Sequence, residues 1–176
     1  IDASKEEKYT EEIEKEKEEI NMIFAAAPSQ NEVLYSLAND REIEWNRINA
    51  FHMDEYVGLK KEDPQSFGNY LNEHIFKKVP FANIYYVADY GLDYEQLLAE
   101  NPIDIVCLGI GENAHIAFND PPADFDTKES YIIVNLNDRC KQQQMGEGWF
   151  KTIDDVPKQA VSMTAYQIMQ CKKIVS

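Results

Sequence analysis

Ile103-Asp104-Ile105-Val106-Cys107-Leu108-Gly109-Ile110-Gly111-Glu112-Asn113-Ala114-His115-Ile116-Ala117-Phe118-Asn119-Asp120-Pro121 is the stretch that decides the fold of this chain. Its first six residues form an apolar run between Pro102 and Gly109, the pattern of a strand buried inside a parallel sheet. Glycines at 109 and 111 let the backbone turn sharply as it leaves the sheet. The turn delivers His115, and five residues later Asp120, to the carboxyl edge, where open α/β sheets bind ligands. An imidazole and a carboxylate in one crevice are parts of a proton-transfer site. Glycine turns after strands are common and a lone histidine is more often structural, so the assignment needs support from elsewhere in the chain.

Support comes from upstream. Ile20 to Ala27 reads as a first strand, followed by the loop Pro28-Ser29-Gln30-Asn31-Glu32 and a helix from Glu32 to Asn39. Ser29 or Asn31 is placed to cap that helix, either as an anion-binding turn or as an ordinary strand-to-helix connection. Ile48 to Met53 reads as a second strand that ends in Asp54-Glu55-Tyr56-Val57-Gly58-Leu59, a carboxylate pair at a strand tip. Ser66 to Phe76 has helical periodicity, with Phe67, Tyr70, Leu71 and Ile75 on one face. Ile84 to Val87 is a short third strand, Tyr94 to Glu100 a brief helix, and Ile132 to Val134 another strand. Lys172 to Ser176 opens a final strand, while Val161 to Met169 fits neither period. Ser4 to Glu19 reads as a charged surface helix with Tyr9 and Ile13 as its thin apolar stripe. Alternating strands and helices call for one α/β domain over residues 1–176, its parallel sheet covered on both faces.

The 176 residues carry 32 acidic and 17 basic side chains, a net charge of −15, which disfavours a nucleic-acid partner. No apolar run reaches the length that spans a bilayer, and no basic-then-apolar leader opens the sequence. Cys107, Cys140 and Cys171 lack zinc-type or CxxC spacing. A cytoplasmic protein with no membrane partner and no metal is the expectation.

Together, Phe51 to Leu59 and Gly109 to Pro121 resemble the glucosamine-6-phosphate deaminase family, and Val156 to Thr164 looks like a third segment of it. The resemblance implies a modified doubly wound, Rossmann-like α/β fold. It also implies conversion of glucosamine 6-phosphate and water to fructose 6-phosphate and ammonia, without a cofactor. By this resemblance Asp54 matches the base that moves a proton between C2 and C1, and His115 the histidine that opens the sugar ring. Asp120 stands where the family has a Glu that acts with this histidine, and Asn113 where well-known members carry Asp. Ala114 replaces a usual Gly. Ala27, Ser29 and Gln30 fall in the expected phosphate-binding loop, and Glu55, Arg139, Lys141 and Gln144 complete the candidate substrate-binding set. Gln144 falls where typical members place an Arg. The resemblance also implies a homo-oligomer, and by comparison with the family the 1–176 domain is expected to lack a C-terminal strand and helix. Two alternatives remain: a sugar-phosphate-binding protein without turnover, and a 6-phosphogluconolactonase-type hydrolase.

Overall fold

The computed structural model describes residues 3–14, 18–111, 113–146 and 148–176. Its strands are β1 (Ile20–Phe24), β2 (Ile48–His52), β3 (Asp54–Tyr56), β4 (Asn83–Ile84), β5 (Ile105–Cys107), β6 (Tyr131–Asn135), β7 (Gln159–Met163) and β8 (Lys173–Val175). Its helices are α1 (Ala3–Glu14), α2 (Asn31–Asn39), α3 (Phe67–Leu71), α4 (Val87–Tyr90), α5 (Tyr94–Glu100), α6 (Asp138–Gly146) and α7 (Ala165–Gln170), with a π-helical turn at Asn72–Phe76 continuing α3. The larger sheet runs β4-β2-β1-β5-β8 and is parallel throughout. From β1 the chain builds one way to β2 and β4, then crosses back to place β5 and β8 on the other side. Strand order therefore reverses between β1 and β5, and the loops leaving those strands part at the carboxyl edge.

Alternate residues of the strands feed two cores. Met22, Phe24 and Ala50 pack with Val33, Leu34 and Leu37 of α2, and with Tyr70, Leu71 and Ile75. Ile23 and Phe51 pack on the opposite face with Val87, Tyr94, Leu98 and Ile168. This is the doubly wound arrangement that the sequence pattern implies, and no described helix is long and apolar enough to cross a membrane. No disulfide joins the three buried cysteines.

Side chains at the amino edge fix strand register. Asn83 Nδ2 donates to Asn49 Oδ1 at 2.8 Å, and Asn49 Nδ2 donates to Asn21 Oδ1 at 3.0 Å. Asn21 Nδ2 in turn donates to the Pro102 carbonyl at 3.0 Å. Asp104 extends the ladder by accepting from the Asn21 N–H at 3.0 Å and pairing with Lys172 Nζ at 2.8 Å. Asn49 is the central rung and is buried. Asn49→Ala should lower the unfolding free energy by about 1–3 kcal/mol, because it strands the Asn21 acceptor in the interior. Urea titration checks this, and an unchanged midpoint would show that the ladder contributes nothing.

Three expectations need correction. The Ile132–Val134 strand, as β6, belongs to a separate antiparallel sheet, β3-β7-β6, rather than to the parallel one. It is an edge strand with Ile133 46% exposed, as antiparallel sheets permit. The Ile84–Val87 strand shortens because Val87 already opens α4. In α1 the buried stripe is Glu6, Thr10 and Ile13, at helical spacing, so that helix is more than a solvated face; residues 15–17 of the expected span lie outside the described residues. The ambiguous segment resolves into the end of β7 followed by α7, with Thr164 capping the helix by accepting from the Gln167 N–H.

Candidate active site

A crevice of about 310 Å³ opens where the loops after β1 and β5 separate. Its walls are residues 25–29, Met53 and Asp54, residues 109–111, His115, Ala117, Phe118, Phe67, and Gln143 and Gln144 of α6. Asp54 reaches it because one extended segment serves two sheets. The Met53 N–H still donates to the Phe24 carbonyl at 3.1 Å, whereas the Met53 carbonyl accepts from the Met163 N–H at 3.1 Å. Asp54 then pairs with Ser162 of β7 and is 7% exposed.

The same strand holds the histidine turn. The Phe118 N–H donates to Ser162 Oγ at 3.0 Å, and Asn119 Nδ2 donates to the Met163 carbonyl at 2.7 Å. Thus β7, the core of the Val156–Thr164 segment, ties Asp54 and His115 to one frame. The turn closes through the Gly111 N–H to the His115 carbonyl and the Ala114 N–H to the Gly111 carbonyl, both 2.9 Å. Glu112 lies outside the described residues. Ala114 and Ala117 have φ of 64° and 51°, left-handed values that cost an alanine on the order of 1 kcal/mol each.

His115 is joined to Asp120 through Asn113. Asn113 Nδ2 donates to Asp120 Oδ1 at 2.8 Å, which leaves its Oδ1 to accept from His115 Nδ1. The Asp120 carboxylate therefore sets the amide's orientation, and the amide sets the imidazole's tautomer. Nδ1 carries the proton, and Nε2 is the ring nitrogen left for chemistry. Asp120 Oδ1 also lies 3.7 Å from Nδ1.

The remaining sequence candidates divide. Ala27 and Ser29 line the crevice, as does Gln144. Gln30 does not: it is fully buried beside Gly109, and its amide atoms have no hydrogen-bond partner among the described residues. Neither Ser29 nor Asn31 caps α2; a 3-10 turn at Pro28–Gln30 leads into it, and Asn31 accepts from Tyr70 instead. Glu55 points away from the crevice, as alternation along β3 requires. Its carboxylate accepts from the N–H groups of Tyr56, Phe67 and Gly68 at 2.9–3.1 Å, clamping the start of α3. Burial pushes its pKa up to about 7, with those three N–H groups pulling the other way. Arg139 and Lys141 are also outside the crevice wall, because Cys140 and Gln144, four apart on α6, take the inward face. Sequence reasoning missed Gln143, and also Phe67 and Phe118, whose stacked rings (centroids 5.7 Å apart) form an apolar part of the wall.

Residues 3–175 match the protein family described as glucosamine-6-phosphate isomerases/6-phosphogluconolactonase. The chain belongs to that family. A curated glucosamine-6-phosphate deaminase of Oenococcus oeni is 35% identical over 161 residues, covering 87% of this chain and 66% of its own. Its counterpart from Lactobacillus delbrueckii subsp. bulgaricus is 36% identical over 149 residues, covering 81% and 62%. The chain thus spans just under two thirds of the length of these curated relatives. Among solved structures, a monomeric glucosamine-6-phosphate deaminase superposes with a TM-score of 0.78 at 28% identity, over 95% of this chain and 73% of that one. A 6-phosphogluconolactonase from Thermotoga maritima gives 0.73 at 21% identity, over 94% and 72%, which is likeness of fold.

Proposed function

We propose that this family member isomerises and deaminates an amino-sugar phosphate, turning glucosamine 6-phosphate and water into fructose 6-phosphate and ammonia. One observation carries the reading: a carboxylate at the start of β3 and a tautomer-fixed imidazole on the loop after β5 share the wall of a crevice of sugar size. The names of the curated relatives support it.

In this scheme His115 Nε2 takes the proton of the anomeric hydroxyl and returns one to the ring oxygen, which opens the pyranose. The Asn113–Asp120 pair steadies the transient imidazolium. Asp54 then removes the C2 proton of the open aldehyde and delivers it to C1, while a proton from the amine passes to the C1 oxygen, so the amine-bearing carbon becomes an imine and C1 an alcohol. Water adds at C2 and ammonia leaves. The low exposure of Asp54 suits a base that shuttles one proton between adjacent carbons without losing it to solvent. Ser29 and the neighbouring backbone of the β1 loop are the proposed phosphate contacts. A cytoplasmic location belongs to the same proposal, as does assembly into a homo-oligomer.

Asp54→Asn should reduce ammonia release from glucosamine 6-phosphate by about 10²–10⁴-fold while leaving the melting temperature close to wild type. Coupled detection of ammonia and ketose phosphate reads both products. Near-normal release by the variant would remove Asp54 from its role.

A further inference from the structure

The helix α6 supplies two crevice residues, yet few of its own side chains tie it down. Cys140 and Gln144 are the ones it buries. Asn137 caps its first turn, accepting from the Cys140 N–H at 2.8 Å. Cys140 joins the apolar cluster that contains Tyr56, Phe67 and Phe118. Gln144 is held by a polar contact instead. Tyr56 donates its hydroxyl proton to Gln144 Oε1 at 2.6 Å, with both groups buried. An amide whose oxygen is claimed by a phenol retains two N–H groups and so meets a ligand as a donor. No described residue takes the protons of this nitrogen, and Gln144 is part of the crevice wall.

The phenol itself has little freedom. Its ring packs against Phe67 at 4.8 Å between centroids, and against Phe118 and Phe150 at 5.5 Å. Tyr56 also lies two residues beyond Asp54 in β3, so both belong to one face of a single strand.

We propose that Tyr56 is a positioning residue: its hydroxyl latches α6 against the crevice and turns the Gln144 amide so that its N–H groups receive an acceptor oxygen of the bound sugar phosphate. The ligand half of this inference rests on the function proposed above, whereas the latch does not. Holding the amide in one orientation before the ligand arrives removes part of the ordering cost of binding. The donor in this contact is uncharged, and its contribution belongs to affinity rather than to proton transfer.

Tyr56→Phe keeps the ring and deletes the hydroxyl. In ligand-free protein, amide hydrogen exchange across residues 138–146 should quicken by about tenfold, with β1 exchange unchanged. With glucosamine 6-phosphate, KM should rise about tenfold and kcat change by less than about threefold. The double variant Tyr56→Phe/Gln144→Leu should bind no worse than Gln144→Leu alone, the coupling expected of two groups acting through one contact. Unchanged exchange in α6 overturns the latch, and strictly additive KM losses overturn the donor role of Gln144. If the wild-type protein releases no ammonia, the functional reading fails. Exchange then still decides the latch, and calorimetric titration with glucosamine 6-phosphate decides the donor.

Discussion

Gly111→Ala is expected to cost about 10²–10³-fold in ammonia release while the protein stays folded. An ideal Cβ at that position would stand 2.1 Å from His115 Cε1, 2.3 Å from Nδ1 and 2.7 Å from Nε2. The imidazole lies across the glycine, and no rearrangement of one atom relieves three such contacts. Either the ring leaves Asn113, which forfeits its tautomer, or the turn moves, which carries the ring away from the crevice. Displacing a general acid–base group by an ångström is enough for a loss of about a hundredfold. Gly109→Ala is the matched control, because its nearest contacts are 3.3 Å to Gln30 Nε2 and 3.4 Å to Ser29 Oγ, both on side chains. Its effect on turnover should stay within about tenfold. If the Gly111 variant turned over like wild type, the ring would have no fixed place in the reaction.

The same glycine shows how far the sequence could be read. Its presence after the 103–108 strand foretold a turn at the carboxyl edge, yet the left-handed φ values of that turn fall on Ala114 and Ala117 rather than on Gly111. The reason for the glycine, that an imidazole folds back onto it, depends on a contact four residues away through a left-handed alanine, and no local pattern encodes that. Mainly apolar runs located β1, β2 and β5 correctly, since strands buried on both faces are rich in apolar residues even where Asn21 and Asn49 interrupt them. The small antiparallel sheet was not legible as a separate unit. The bend after His52 that passes the chain from one sheet to the other is a matter of hydrogen bonds at Met53. Glu55 was misjudged for a related reason: adjacent carboxylates at a strand tip read as a pair, but alternation sends them to opposite faces. The helix α6 escaped notice because Asp138 to Gly146 is almost wholly polar, so it has no apolar stripe to announce which residues turn inward. Arg139 and Lys141 were chosen there by charge alone. The residues that reach the crevice are the neutral Gln143 and Gln144.

A polar stripe is also behind the last and largest stability effect. Glu6 is fully buried on α1, and both carboxylate oxygens lack a hydrogen-bond partner among the described residues. Burial, helped by the neighbouring charge of Glu7, pushes its pKa from 4.5 up to about 8. Between those two values the unfolded chain has lost the proton and the folded chain keeps it, so unfolding releases a proton. Burying this group therefore carries no ionisation penalty below pH 4.5, lowers stability by about 1.4 kcal/mol per unit as pH rises, and reaches its full cost above pH 8. The total is on the order of 4–5 kcal/mol, comparable with the whole stability of many domains this size. Glu55 adds a decline of the same sign that ends near pH 7. Glu6→Gln should remove the Glu6 slope and leave that of Glu55. The variant is expected to match wild type near pH 4.5 and to exceed it by several kcal/mol at pH 8.5, read from urea titrations across that range. Parallel curves for the two proteins would mean that Glu6 ionises as freely in the fold as out of it, and that α1 does not seal it from water.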